Sequence, residues 1–260
     1  MARDGDRWNA EQYLKFSGPR FRPGLDLLAQ APVAEPATIV DLGCGTGDLT
    51  LAIQARFPTA RLTGMDNSPD MLAKARRHGA DIDWVEADLM RWTPADPVDL
   101  LYSNAVLQWI PDHSTVLRHV ASMVNATGGL AIQMPRNFNA PSHVLARETA
   151  AGPRWKDRIG GALLRDPVAD PEVYYRLLGD LGFSHVDIWE TEYLHVLEGD
   201  DPVLEWVKGT ALTPVFALID GAERADFVAE YGAALRIAYP KQPDGKTLFP
   251  FRRIFLTARR

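Results

Sequence analysis

The sequence has a single cysteine, no long apolar run and no excess of positive charge. One cysteine in 260 residues, Cys44, excludes an intramolecular disulfide and any metal site built from several thiolates. No charge-free apolar run reaches the roughly 18 residues that a membrane-spanning helix needs. The amino terminus, MARDGDRWNAEQ, lacks the apolar core of a signal peptide. We therefore expect a cytoplasmic protein that holds no metal.

The formal net charge is −6, so the chain has no overall attraction for nucleic acid or for anionic membranes. We expect neither as a partner, and an anionic small-molecule substrate would need its own local group of cations. Internal repeats and low-complexity linkers are also absent from the sequence. The oligomeric state stays open at this point.

The segment between residues 37 and 135 alternates short apolar runs with amphipathic stretches. Such alternation predicts parallel βαβ units, and hence an α/β, Rossmann-like open sheet with helices on both faces. Ligands of these sheets bind at the carboxyl ends of the strands. The predicted strands are residues 37–42, 60–66, 82–88, 98–104 and 128–135, and the predicted helices are 48–57, 69–78 and 113–124.

Outside this core the pattern becomes mainly helical. Residues 8–30, 141–182 and 200–239 are predicted helical, while strands at about 184–196 and 251–260 are expected to extend the sheet. We predict a single domain over residues 1–260. Within it, residues 31–135 form the ligand-binding core, and 1–30 with 136–250 form a mostly helical cap over the ligand edge of the sheet.

The stretch VDLGCGTGD, residues 40–48, is a glycine-rich turn between a predicted strand and a predicted helix. Its glycines are spaced G-x-G-x-G, and Asp48 stands where a dinucleotide-binding turn would have its third glycine. Glycines at such a turn let a ligand approach the backbone, and the helix that follows offers free N–H groups. By itself this pattern is compatible with many cofactors.

Three acidic residues at the ends of predicted strands indicate which kind of cofactor the turn binds. Asp66 ends the second strand, where a carboxylate can accept both hydroxyls of a ribose. Asp88 ends the third strand and could accept from an exocyclic amine such as that of adenine. Asp41, beside the glycine turn, could attract an ammonium group directly or through water. An adenosine joined to an amino acid meets all three requirements.

At these residues the sequence resembles the class I S-adenosylmethionine-dependent methyltransferases. The resemblance rests on VDLGCGTG (40–47), GMDNSPDML (64–72), EADLMRW (86–92) and DLLYSNAVLQWIPD (99–112). It implies that the cofactor is S-adenosyl-L-methionine and that S-adenosyl-L-homocysteine is a product. The implied cofactor-binding residues are Asp41, Gly43, Gly45, Gly47, Asp66, Asn67, Met71, Asp88, Leu89 and Asn104.

The flanking segments 8–28, 133–143 and 244–260 resemble a member of this class whose substrate is a small polycarboxylate. A carboxylate acceptor is already ionised at neutral pH, so its methylation needs positioning and removal of water but no catalytic residue. Arginine side chains suit such a substrate, because their planar fork matches a carboxylate. The predicted substrate-binding residues are Arg20, Arg22, Arg136, His143 and Arg252.

Two alternatives remain open from the sequence. One is a small-molecule O- or N-methyltransferase with another acceptor, such as a phenol or an amine. The other is a module that binds S-adenosylmethionine without turnover.

Overall fold

The computed structural model describes residues 17–163 and 167–260, without the side chains of residues 17, 19 and 20. The strands are β1 (Thr38–Leu42), β2 (Arg61–Asp66), β3 (Asp83–Glu86), β4 (Val98–Asn104), β5 (Val124–Pro135), β6 (His185–Leu197) and β7 (Thr247–Arg259). The α-helices are α1 (Ser17–Ala29), α2 (Asp48–Arg56), α3 (Pro69–Ala75), α4 (His113–Ser122), α5 (Pro141–Ala151), α6 (Lys156–Ile159), α7 (Pro171–Asp180), α8 (Pro202–Lys208), α9 (Thr213–Phe216) and α10 (Gly221–Ala238).

The strands form one seven-stranded sheet in the order β3-β2-β1-β4-β5-β7-β6. Strands β1 to β5 are parallel to their neighbours, whereas β7 runs antiparallel to β5 with Pro135 opposite Arg253. The predicted Rossmann-like, mostly parallel sheet is therefore confirmed. The order reverses between β1 and β4, so the carboxyl ends of these strands flank the position where ligands of such sheets bind.

The central strands form because they are continuous apolar runs. In β4, the consecutive residues Leu100, Leu101 and Tyr102 are all fully buried. Successive side chains of a strand point to opposite faces, so burial of all three shows that both faces of the sheet are covered.

The helix that follows β2 begins as its sequence predicts. Ser68 is the N-cap of α3, and its Oγ accepts a hydrogen bond from the N–H of Met71 at 3.4 Å. Pro69 occupies the first helical turn, where its missing N–H costs nothing. The helix ends in a short 3₁₀ turn over Arg76–His78, and Gly79 follows in the left-handed conformation.

The chain divides into two compact units. The sheet unit contains Arg20–Arg136, Pro167–Thr191 and Arg253–Arg260. Among the described residues, the helical unit contains 17–19, 137–163 and Glu192–Arg252. The core of the helical unit packs around four large, buried aromatic side chains, Trp206, Phe227, Tyr231 and Phe249.

This division differs from the predicted core and cap. Residues 20–30 and 167–183, the latter carrying α7, were predicted as part of the cap, but they group with the sheet unit. Part of the reason is visible at Tyr174 of α7, which is fully buried and hydrogen bonded to His113 of α4. Among the described residues, no helix is both long enough and apolar enough to span a membrane.

Candidate active site

The turn between β1 and α2 holds its three glycines in the left-handed region, with φ of +70° at Gly43, +57° at Gly45 and +82° at Gly47. Two of them are also enclosed by protein. A Cβ on Gly43 would lie 2.3 Å from Val106 Cγ2, and one on Gly47 would lie 2.7 Å from the ring of Trp84. A Cβ on Gly45 would meet nothing within 4 Å. The turn therefore presents open space at Gly45 alone of the three.

Asp66, at the end of β2, is bonded to this turn. Its Oδ2 accepts from the backbone N–H of Gly45 at 2.9 Å, and its Oδ1 accepts from that of Ser68 at 2.8 Å. Burial raises the pKa of the Asp66 carboxyl, while these backbone donors act in the opposite direction. The side chain is thus fixed beside the open position of the turn, where its remaining lone pairs suit the hydroxyls of a ribose.

Asp41 lies in β1, one residue before the strand ends, and is 2% exposed. The hydroxyl of Thr50 donates to its Oδ2 at 2.7 Å. Burial raises the pKa of Asp41 to about 7; the Thr50 hydrogen bond lowers it, and repulsion from Asp66 adds to the rise. A cation nearby would stabilise the ionised form, so this carboxylate suits the ammonium group of an amino acid.

Asp88 follows β3 on the same edge of the sheet. Asp66 of β2 lies opposite Glu86 of β3, and its carbonyl accepts a hydrogen bond from the N–H of Ala87 at 3.1 Å. The next residue, Asp88, has an exposed side chain. Asp88 Oδ1 accepts from the N–H of Met90 at 2.9 Å. The structure buries Met71 and Leu89 to 2% and 8% exposure and leaves Asn67 exposed.

Asn104 ends β4, and its Oδ1 is buried without a hydrogen-bond partner. A buried acceptor without a donor is unfavourable unless a ligand supplies the donor. The open position at Gly45, the fixed carboxylate of Asp66 and this unsatisfied oxygen together fit a ligand that carries ribose hydroxyls and an ammonium group. The residues present therefore fit S-adenosyl-L-methionine.

Cys44, in the same turn, is 8% exposed. Burial and the neighbouring carboxylates of Asp41 and Asp66 raise the pKa of its thiol. The sulfur therefore stays protonated at neutral pH, which argues against a role as a nucleophile.

Arg136 directly follows β5, as predicted, but its guanidinium is engaged by the protein. It forms ion pairs with Asp170 and with Glu190 Oε1, the latter at 2.6 Å, and its Nε donates to the carbonyl of Ala169 at 3.2 Å. The structure thus differs from the expectation of an arginine available to a substrate. A substrate carboxylate would have to displace one of these partners.

The other predicted arginines lie in different settings. The side chain of Arg20 lies outside the described part, although its backbone belongs to α1. Arg22 is exposed and lies 3.7 Å from Asp26 one helical turn on. Arg252 is exposed on β7, whereas the next residue, Arg253, is only 4% exposed. Because successive side chains of a strand point to opposite faces, Arg252 and Arg253 lie on opposite faces of β7.

His143 lies in the first turn of α5 and packs edge-on against Phe138, with ring centroids 5.1 Å apart. Burial, and then the nearby Arg147 guanidinium, lower the pKa of His143 to about 4. Arg147 is held in place because its Nη1 donates to the carbonyl of Phe138 at 2.9 Å. The imidazole is therefore neutral at physiological pH.

Three further residues stand out in the structure but not in the sequence analysis. Trp84 packs over the Cα positions of Gly47 and Gly64, and the isolated glycine inside β2 was the available signal for this close approach. Gln133, fully buried in β5, and Asn137, 5% exposed, each carry side-chain atoms without a partner. For Gln133 the signal was an amide side chain in the otherwise apolar run 130–135.

Comparisons with known proteins indicate the family and the fold of the chain. A family profile described as "Methyltransferase domain" matches residues 39–128. The solved structure of the YcgJ protein from Bacillus subtilis superposes with a TM-score of 0.60 at 13% identity, over 92% of this chain and 98% of that one. Phosphoethanolamine N-methyltransferase 2 of Haemonchus contortus, with S-adenosyl-L-methionine, superposes with a TM-score of 0.58 at 16% identity, over 100% of this chain and 60% of that one.

The strand order, the glycine turn and the acids at the strand ends are those of the class I S-adenosylmethionine-dependent methyltransferases. The trans-aconitate 2-methyltransferase of Streptomyces avermitilis is 49% identical over 96% of both chains, and that of Streptomyces coelicolor is 48% identical over 97% of this chain and 86% of the other. The chain belongs to this family of methyltransferases. Within the described residues no group of three or more His, Cys, Asp or Glu side chains is arranged to hold a metal ion.

Proposed function

We propose that this methyltransferase esterifies one carboxylate of trans-aconitate, or of a closely similar small polycarboxylate, to give a monomethyl ester. The observation that carries the proposal is the 49% identity, along nearly the whole chain, to a protein named for that substrate. The geometry of the site is compatible with it, because carboxylate methylation requires no proton to be removed from the acceptor.

The cofactor, when bound, supplies an electrophilic methyl group on a sulfonium and leaves as S-adenosyl-L-homocysteine. Asp66 would accept from the ribose and Asp88 from the adenine amine, while Asp41 and Asn104 would face the ammonium group. An ion pair with that group would favour the ionised form of Asp41, whose pKa is about 7 in the protein alone. Binding of the cofactor and loss of the Asp41 proton are therefore coupled.

The chain's own groups support a mechanism without a general base. The Cys44 thiol is protonated, and His143, with a pKa near 4, is a weak base. The acceptor carboxylate, with an ordinary pKa of about 4, is ionised without help. The rate would then depend on holding that oxygen about 3 Å from the methyl carbon and on excluding water.

The residues that hold the acceptor's other carboxylates stay predictions: Arg20, Arg22, Arg136, His143 and Arg252. The role of the helical segments as a substrate cap and the cytoplasmic location are predictions of the same standing. Arg136 is the least favoured of the five, because two carboxylates already neutralise it.

A panel of acceptors tests the proposal. Purified protein is incubated with S-adenosyl-L-methionine and, in turn, with di- and tricarboxylic acids, a phenol and a primary amine, and S-adenosyl-L-homocysteine is quantified. We expect turnover with trans-aconitate and little with the phenol or the amine. Turnover confined to the phenol or the amine would favour the first alternative. Tight cofactor binding without any product would favour the second.

A further inference from the structure

Three polar side chains lie together where the carboxyl ends of β4 and β5 meet the middle of the antiparallel strand β7. Asn104 and Gln133 are register partners in β4 and β5, and Arg253 of β7 contacts Gln133 from the other side. All three belong to the sheet unit. Gln133 and Arg253 are 0% and 4% exposed.

The orientation of the Gln133 amide is fixed by Arg253. The Nη1 of Arg253 donates to Gln133 Oε1 at 3.4 Å. Turning the amide over would point its NH₂ group at a guanidinium, donor against donor, so the oxygen must face Arg253. The Nε2 group therefore faces away from the arginine.

That Nε2 group is buried and has no hydrogen-bond partner. Buried donors without acceptors are rare in folded proteins, and each one calls for an explanation. The neighbouring Oδ1 of Asn104 is a buried acceptor that is likewise unpaired. An unsatisfied donor and an unsatisfied acceptor thus stand on adjacent strands, which lie about 4.8 Å apart in a sheet.

We infer that Gln133 binds a carboxylate oxygen of the acceptor, with Arg253 fixing its amide and contributing positive charge. This inference rests on the proposed function and names a part of its substrate site that the sequence analysis did not include. A carboxylate oxygen would be the acceptor that Gln133 Nε2 lacks. The guanidinium of Arg253, which is hydrogen bonded to the same amide, would stabilise the negative charge of that carboxylate. The Oδ1 of Asn104, on the adjacent strand, lacks a hydrogen-bond donor, and the ammonium group of the cofactor can supply one. The unsatisfied acceptor of Asn104 therefore suits the cofactor, and the unsatisfied donor of Gln133 suits the substrate.

The variant Gln133→Glu replaces the amide nitrogen with a carboxylate oxygen. The new side chain keeps the shape and keeps an oxygen facing Arg253, with which it forms an ion pair, but it replaces the NH₂ donor by a carboxylate oxygen. Binding of trans-aconitate is measured by calorimetry with S-adenosyl-L-homocysteine present. We expect at least a tenfold weaker affinity for the tricarboxylate and a cofactor affinity within twofold of the starting protein.

The matched control is Arg259→Met beside Arg253→Met, because Arg259 is exposed at the far end of the same strand. The Arg253 variant should weaken trans-aconitate binding at least tenfold, and the Arg259 variant should leave it within twofold. A second substitution, Gln133→Met, covers the case in which Gln133→Glu does not fold. It removes the donor without adding charge and should also weaken binding at least tenfold.

The outcomes separate this inference from the proposed function, because turnover is measured independently of binding. Unchanged trans-aconitate affinity in the folded Gln133 variants would overturn the inference and leave the proposed function standing. An equal KM for trans-aconitate in the Arg253→Met and Arg259→Met variants would overturn the inference as well. A starting protein that binds none of the carboxylates tested would overturn the inference, and absence of ester would overturn the proposed function.

Discussion

The two halves of the sheet's carboxyl edge differ in how completely the protein satisfies its own polar groups. In the glycine-turn half, formed by β1, β2 and β3, Asp66 is held by backbone donors from Gly45 and Ser68. In the amide half, formed by β4, β5 and β7, Asn104 and Gln133 keep unsatisfied atoms. The first half is organised before any ligand arrives, whereas the second leaves hydrogen bonds for ligands to complete.

The two halves also differ in how their residues are distributed along the chain. The glycine-turn half is built from one continuous stretch between residues 41 and 88, in which each acid lies within two residues of the end of its strand. The amide half joins residues far apart in sequence, since Gln133 and Arg253 are 120 positions apart. Substitutions in the two halves and changes of pH test this difference.

The largest effect is expected at Asp41, in the glycine-turn half. Its folded pKa of about 7 exceeds the ordinary value of 3.8, so the folded state binds more protons than the unfolded state between those values. The free energy of unfolding should therefore fall as the pH rises from about 4 to about 7, by roughly 4 kcal/mol in total from this group. Asp41→Asn keeps an acceptor for Thr50 and should remove that loss, which urea denaturation at pH 5 and pH 8 measures.

Asp99, at the start of β4, provides the control of opposite sign. Burial acts to raise its pKa, but hydrogen bonds from Asn125, Thr38 and Ala37 hold the pKa of Asp99 below its usual value. Asp99→Asn should lower stability at pH 7 and matter less as the pH falls below about 4. An Asp41→Asn variant that is no more stable than the starting protein at pH 8 would contradict a raised pKa for Asp41 in the folded state.

The glycines of the turn should separate stability from cofactor binding. Gly47→Ala places a methyl group against Trp84 and strains a residue with φ of +82°, so we expect about 2–4 kcal/mol of destabilisation. Gly45→Ala strains the backbone but meets no protein atom, so it should cost about 1–2 kcal/mol. Thermal unfolding and cofactor calorimetry on both variants measure the difference.

Gly45→Ala should weaken cofactor binding more than Gly47→Ala does, although it destabilises the fold less. The reason is that the cofactor is expected on the open side of the turn, at Gly45. The opposite ranking would place the cofactor elsewhere on the turn.

Asp66→Asn should weaken cofactor affinity by about 10- to 150-fold, since a hydrogen bond to a charged acceptor contributes about 1.5–3 kcal/mol. The amide still accepts one backbone bond, so thermal stability should change less than affinity. Isothermal titration with S-adenosyl-L-homocysteine measures the affinity, and Asp70→Asn, at an exposed acid in the first turn of α3, is the matched control. Equal affinity in both variants would remove Asp66 from the cofactor site.

The smallest effect is expected in the pH dependence of turnover. With both substrates saturating, kcat should stay nearly constant between about pH 6.5 and 8.5, because the acceptor carboxylate is ionised throughout and His143, with a pKa near 4, does not titrate there. A steep rise of kcat with pH would indicate a general base, and hence a phenol or an amine as acceptor.

The difference between the glycine-turn half and the amide half also explains which features could be predicted from the sequence. The sheet, its late strands and the cofactor residues follow from patterns that are local in sequence, such as apolar runs and acids at strand ends. The sequence predicted Arg252 as a substrate ligand but did not indicate a role for Arg253. The register of β7, which decides the face that each arginine occupies, depends on pairing with a distant strand, where Pro135 lies opposite Arg253. Arg136 forms ion pairs with Asp170 and Glu190, which lie 34 and 54 residues further along the chain. These ion pairs likewise depend on tertiary packing.

The central claim is that the chain transfers a methyl group to a carboxylate of trans-aconitate. The most direct measurement uses S-adenosyl-L-methionine labelled with ¹³C in its methyl group and follows the reaction with trans-aconitate by NMR. The account predicts one new methyl ester signal that grows in step with S-adenosyl-L-homocysteine, and its couplings identify the esterified carboxylate. Absence of any ester signal, from protein shown by calorimetry to bind the cofactor, would contradict the account.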